Sequence, residues 1–196
     1  MDNGAEKFLS KDKYIGPLIE KYGPIKLVRR VKSLYFVSLV RSITNQQLST
    51  KAAATIFKRV EEKVVIITPK NLLSIKDEDL RACGLSWAKI KYVKDLSERT
   101  LDGRLKLNEL DGLTEAEIER ELVAVKGIGH WSAEMFLMFT LGFPDIFPVD
   151  DLGIRNGMKK LIKKNLSQKD LEEFAMRWKP YRTYSAMYIW ELLDNK

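Results

Sequence analysis

Cysteine is nearly missing from this sequence: Cys83 is the only one in 196 residues. A single thiol excludes an internal disulfide and any four-cysteine zinc or iron–sulfur site built within the chain. It also fits a reducing compartment, the cytoplasm first and the nucleus as the alternative. Histidine is as scarce, with His130 alone. So few soft ligands leave no metal and no cofactor expected. Long apolar runs are missing too. None approaches the roughly 20 residues that cross a bilayer, so no membrane partner is expected. The opening stretch MDNGAEKFLSKDKY lacks the apolar core of a secretion signal. Strand-like alternation is rare. Lys63-Val-Val-Ile-Ile-Thr68 is the one β-branched run, and Pro69 closes it, so it reads as a helix end or a short extended connector.

What is present belongs to a folded chain. Hydrophobic residues make up 45% and charged residues 31%, which excludes a disordered chain. The length suffices for one sizeable core or two small lobes sharing one. Lysine and arginine number 34 against 27 acids, a net charge of +7. That excess favours a polyanionic partner, although alone it is a weak pointer.

Helical spacing dominates. Phe36, Val40, Ile43 and Gln47 form one stripe, and Ala53, Ile56 and Val60 continue it. A helix follows Trp87 with Ile90, Val93 and Leu96 inward. Thr114-Glu-Ala-Glu117 is a capping box that starts another, through Ile118 and Leu122. Ser132 to Leu141 reads as a helix stopped by Gly142 and Pro144. Helices from about Leu152 to Lys163, Gln168 to Trp178 and Thr183 to Leu193 complete an all-α chain.

Three segments carry chemistry. In Leu122-Val-Ala-Val-Lys-Gly-Ile-Gly-His-Trp-Ser-Ala133, two glycines flank Ile128 between two helices. Ile128 can plug such a hairpin into the core. The amides of Gly127, Gly129 and His130 then lie near a helix N-terminus, which suits a phosphate oxygen. An ordinary helix–turn–helix corner has the same short pattern. In Phe147-Pro-Val-Asp-Asp-Leu-Gly-Ile-Arg155, two adjacent acids stand at a helix start among apolar residues. One acid suffices as a cap, worth about 1 kcal/mol. The other is a candidate catalytic carboxylate. In Arg177 to Trp190, aromatics and cations cluster, and Tyr184, Met187 and Trp190 share a helical face. Trp178 and Tyr188 read as core. Trp131 and Trp190 read as flat walls for an electron-poor ring.

Taken together, the Gly127-Ile-Gly129 hairpin, the trailing Pro148-Val-Asp-Asp151 and Trp178-Lys-Pro-Tyr-Arg-Thr-Tyr184 resemble the helix–hairpin–helix DNA glycosylases. The likeness is strongest to the 3-methyladenine DNA glycosylase II group. Leu39-Val-Arg-Ser-Ile-Thr-Asn-Gln-Gln-Leu-Ser-Thr-Lys-Ala-Ala53 and Leu80-Arg-Ala-Cys-Gly-Leu-Ser-Trp-Ala-Lys89 are also similar to that group's motifs. The resemblance covers about residues 14–193. It implies one glycosylase domain over 1–196, two helical lobes with the DNA-facing cleft between them, and a hairpin at about 122–133. The first helical stripe lies close to the start of the chain, so the compact form without an N-terminal β-rich domain is expected.

By the same resemblance, the chain flips alkylated purines of the 3-methyladenine and 7-methylguanine type out of duplex DNA and hydrolyses the N-glycosidic bond. The partner is double-stranded DNA containing damaged bases, met by a monomer in the nucleoid or the nucleus. Asp151 is the catalytic carboxylate, with Asp150 as the alternative; Asp150 otherwise caps the helix or holds the loop. Phe36, Trp131, Met135, Tyr184 and Trp190 line the base pocket. Gln46, Gln47, Leu48, Gly127, Gly129, His130 and Ser132 meet DNA, and either Gln47 or Leu48 is the wedge that fills the hole left behind. Gln46 could instead make a helix-terminal hydrogen bond. His130 reads as bonded to phosphate or solvent rather than as a general base. Bifunctional branches carry a lysine shortly after the hairpin for a Schiff base. Trp131 stands there instead, and Lys126 precedes the hairpin, so no lyase activity is expected. The cations Lys89, Lys91, Arg155 and Arg182 are candidates for phosphate neutralisation. Met135 stands where the family often has a pocket tyrosine, and it stacks less well on a cation. Two readings compete: a non-catalytic DNA-binding module, and a glycosylase for hypoxanthine, ethenoadenine or oxidised bases.

Overall fold

A computed structural model describes residues 3–194 of the chain. Among the described residues the structure is helical, without a strand. The helices are α1 (Asn3–Leu9), α2 (Gly16–Tyr22), α3 (Tyr35–Asn45) and α4 (Thr50–Val64). Next come α5 (Pro69–Ser74), α6 (Asp77–Ala82), α7 (Trp87–Leu101) and α8 (Glu115–Val123). The last four are α9 (His130–Phe139), α10 (Leu152–Ile162), α11 (Gln168–Ala175) and α12 (Arg182–Asp194).

Helix starts are set by short polar side chains that satisfy amides left over in the first turn. Ser49, Thr68 and Ser86 accept from Ala52, Asn71 and Lys89. Thr114 and Glu117 form the expected capping box, and Ser167 and Asp170 form another. Pro69 takes the first position of α5, where its missing N–H is no loss.

The described residues divide into two compact units: one from the segments up to Arg29 and from Leu137 onward, and one of residues 30–136. The core of unit 2 is built from Tyr35, Leu39, Ile43, Phe57, Ile90, Val93, Leu96, Ile118 and Leu122, all essentially inaccessible. Each such aliphatic side chain stabilises by about 1.5–3 kcal/mol. Tyr35 and Phe136 meet edge to face at 5.8 Å. The core of unit 1 centres on Trp178, whose ring meets Phe147 at 5.6 Å and Phe174 at 5.5 Å. Tyr188 is buried there too, and its hydroxyl donates to the Gly23 carbonyl at 2.8 Å. Trp178 and Tyr188 are therefore core, as expected. In α10, Gly157 allows close approach of Ile189, because a Cβ there would collide with that side chain.

Several elements depart from the sequence expectation. The four short helices α1, α2, α5 and α6 were not foreseen. The stripe ending at Gln47 is cut short, since α3 stops at Asn45. The helix expected from Ser132 opens at His130. The one expected through Trp178 ends at Ala175 and tightens into a 3₁₀ turn over Met176–Trp178.

Candidate functional site

In unit 1, the acidic pair stands at the start of α10. Asp151 is the N-cap: its Oδ1 accepts from the Ile154 amide at 2.8 Å. The same Oδ1 accepts from Trp190 Nε1 at 2.9 Å. One carboxylate oxygen is thus fixed by the first turn of α10 and by an indole from α12. Gly153 makes room for this arrangement. A Cβ there would lie 2.8 Å from Trp190 Nε1 and 2.9 Å from Asp151 Oδ1. The Trp190 ring leans on Phe139, with centroids 5.9 Å apart. Tyr184 is buried, with its ring edge-on to Tyr181.

This corrects the division of labour expected for the two acids. Asp150 does not cap the helix; its side chain is exposed and its carbonyl accepts from Arg155 Nη2 at 3.3 Å. Capping falls to Asp151, the candidate catalytic carboxylate. The cap geometry requires extended backbone at the residue just before α10, which is Asp151 at φ −67°, ψ 127°.

In unit 2, the hairpin joins α8 to α9 over residues 124–129. Ile128 is 4% exposed and plugs it into the core as expected. Gly127 adopts φ +81°, and a Cβ on it would collide with the ring of Tyr92. Gly129 is different: beyond its own chain neighbours, nothing lies within 4 Å of where its Cβ would stand. The N-terminus of α9 faces this turn and adds its dipole to the local amides.

The root of the hairpin rests on Asp95, a buried acid of α7. Asp95 Oδ2 accepts from the Lys126 amide at 2.9 Å and from Arg99 Nε at 2.9 Å. Burial pushes its pKa up, but these hydrogen bonds and the Arg99 and Lys126 charges outweigh burial and hold it below the ordinary value. His130 is engaged by acids rather than by solvent alone. Its Nδ1 pairs with Glu119, and its Nε2 lies 3.4 Å from Glu134 Oε1.

The loop after α3 is tied to the same hairpin. Gln46 Nε2 donates to the Gly127 carbonyl at 2.7 Å and lies 3.4 Å from Ser132 Oγ. Gln47 adopts φ +56°, uncommon for a side-chain-bearing residue, and Leu48 beside it is 37% exposed. Lys89 Nζ donates to the carbonyls of Thr44 at 2.8 Å and Gln46 at 2.7 Å.

Of the expected pocket residues, Trp131 is 42% exposed in the first turn of α9 and Met135 is half-buried one turn on. Phe36 is buried and borders a cleft lined by Lys32, Pro69, Thr100 and Lys106, which neither Trp131 nor Met135 borders. Three of the cations offered for phosphates have protein partners: Lys89 and Arg155 as above, and Arg182, whose guanidinium meets Asp145 Oδ1 at 2.7 Å and Oδ2 at 3.0 Å. Sequence reasoning missed Gly153, Phe139 and Asp95. A glycine in the first turn of α10 was a signal for the first. Nothing local marks the other two.

Residues 40–181 match the family described as the HhH-GPD superfamily of base excision DNA repair proteins. The chain is 33% identical over 180 residues to DNA-3-methyladenine glycosylase 1 of Schizosaccharomyces pombe, covering 89% of this chain and 78% of that protein. The solved S. pombe 3-methyladenine DNA glycosylase in complex with abasic DNA superposes with a TM-score of 0.86 at 33% identity, over 96% of each chain. The crystal structure of a DNA-3-methyladenine glycosidase from Bacillus halodurans also gives 0.86, at 37% identity over 99% of this chain and 91% of that one.

Proposed function

The chain belongs to the HhH-GPD superfamily of base excision DNA repair proteins, and on that premise we propose that it is a monofunctional DNA glycosylase for alkylated purines of the 3-methyladenine and 7-methylguanine type. It works as a monomer on duplex DNA in the compartment that holds the genome. The observation that carries this reading is the fixed carboxylate of Asp151, with Trp190 Nε1 at 2.9 Å and the Ile154 amide at 2.8 Å on one oxygen.

The damaged nucleotide leaves the stack for a pocket, because its glycosidic bond is out of reach within the duplex. Breaking the bond from C1′ to the base nitrogen leaves positive charge on the sugar. Asp151 stabilises that charge, and its fixed orientation means little must reorganise as the charge develops. A base alkylated on a ring nitrogen is already cationic, takes the bonding electrons and departs neutral. It needs no general acid. Water then adds to the sugar and loses its proton.

The Gly127–His130 turn holds backbone phosphate through amides and the α9 dipole, a contact without sequence information. Gln47 or Leu48 fills the hole in the duplex; the exposure of Leu48 and the left-handed Gln47 beside it suit that role. Trp190, beside Asp151, supplies a flat aromatic wall for the flipped base. Met135, where an aromatic ring is common in the family, stacks less well on a cationic base, which weakens any preference for 3-methyladenine over bulkier etheno adducts. No lysine follows the hairpin where a Schiff base would form, so the strand is left intact.

Release of free base from duplexes carrying 3-methyladenine, 7-methylguanine, hypoxanthine, ethenoadenine or 8-oxoguanine tests the reading. Methylated purines are expected to be released, and Asp151→Asn is expected to bind but not release them. A wild-type protein that releases none of the five overturns the enzymatic assignment. A covalent adduct trapped by borohydride overturns the absence of lyase activity.

A further inference from the structure

Gln46 lies where two mechanically different parts of unit 2 meet. On one side is the exposed loop after α3; on the other is the hairpin. Its carboxamide reaches across 81 residues of sequence to the Gly127 carbonyl at 2.7 Å. A carbonyl can only accept, so the orientation of the amide is fixed: the NH₂ group faces the hairpin. The backbone carbonyl of the same Gln46 accepts from Lys89 Nζ at 2.7 Å, and the Thr44 carbonyl shares that ammonium at 2.8 Å. The next residue, Gln47, is held at φ +56°. A non-glycine residue in that region costs about 1 kcal/mol or more and persists only where its surroundings impose it. The far end of the link is equally constrained, since Gly127 stands against Tyr92 and Lys126 hangs from Asp95.

We propose that Gln46 is a positioning residue that couples backbone grip to hole filling. Through the Gly127 carbonyl it makes the loop at 47–48 and the hairpin one rigid body, so that seating the hairpin on phosphate delivers the loop to the duplex. The proposal rests on the glycosylase reading, which gives the two segments those roles. Gln46 touches neither base nor sugar in this scheme. It acts through the carbonyl it holds.

The test uses a duplex with a preformed abasic site and 2-aminopurine opposite it, so no bond cleavage is needed. Wild-type protein at saturation should raise the fluorescence as the loop enters the stack. Gln46→Ala and Gln46→Met remove the donor, and methionine keeps the length and apolar stem. Both should lose about threefold to tenfold of the population with the loop inserted, the worth of one hydrogen bond. Because the Gly127 carbonyl, and not DNA as the resemblance implies, takes the Gln46 carboxamide, affinity for undamaged duplex and its salt dependence, which report the hairpin, should stay near wild type, as should the melting temperature of Gln46→Met. A folded Gln46→Met with the wild-type fluorescence response overturns the proposal. So does a parallel fall in undamaged-duplex affinity, which would place Gln46 in the backbone grip itself. Should Gln46→Ala not fold, Gln46→Met alone decides. Failure of the wild type to release any methylated base sinks the glycosylase reading instead, and the abasic duplex separates that outcome from this one.

Discussion

Trp190 donates its indole N–H to Asp151 Oδ1 at 2.9 Å, on the same oxygen that caps α10 through Ile154. The carboxylate is thereby a structural cap and the candidate catalytic group at once. Trp190→Phe keeps the aromatic bulk against Phe139 and removes only the donor. Single-turnover base release should fall by about tenfold to a hundredfold, because a small misplacement of the charge is felt in the transition state. Binding to abasic duplex should change little. A variant that releases base at the wild-type rate would reduce Trp190 to packing.

Gly153 should be intolerant of a single methyl group. In Gly153→Ala the new Cβ meets both Trp190 Nε1 and Asp151 Oδ1 at under 3 Å, so one of the two must move. Loss of base release at nearly unchanged melting temperature is the expected outcome. Indole fluorescence should shift with it, since Trp190 is the group displaced.

The two hairpin glycines should respond in opposite ways. Gly127→Ala forces a Cβ into the Tyr92 ring at a φ that L-residues disfavour, so stability and DNA affinity fall together. Gly129→Ala has room within the protein, so its melting temperature should hold. Its affinity for any duplex should still drop by about tenfold, as expected when an approaching phosphate loses close contact with the amides. Thermal melts beside binding isotherms on undamaged DNA separate the two.

Asp95→Ala should destabilise by about 1–3 kcal/mol at neutral pH by orphaning the Lys126 amide and Arg99. The pH dependence has a definite sign. Burial opposes ionisation of Asp95, but its hydrogen bonds and neighbouring cations more than compensate, so its folded pKa lies below the ordinary value. Its stabilisation is fully present above the unfolded value, about 3.9, and is lost as pH falls through the folded one. Urea melts should show the gap between wild type and Asp95→Ala closing in that acid window. A constant gap would refute the linkage.

What was legible in the sequence was local. The capping box at Thr114–Glu117 needs only four residues. Ile128 between glycines announces a plugged turn. The four short helices escaped because six or seven residues do not complete enough turns to show a stripe. The choice of cap was not legible because Asp150 and Asp151 are adjacent and chemically identical; only the backbone conformation distinguishes them. The tie from Gln46 to Gly127, and from Asp95 to Lys126, joins residues distant in sequence, and neither partner carries a mark of the other.

Glycine at position 127 is demanded twice, by the Tyr92 ring and by its own backbone dihedral. Shrinking Tyr92 would relieve the crowding and leave the dihedral unchanged. No single compensating replacement therefore opens an evolutionary exit from this glycine. Tyr92 can drift without Gly127, but Gly127 cannot drift by way of Tyr92. Among descendants of this chain, the ring should vary sooner than the residue it shields.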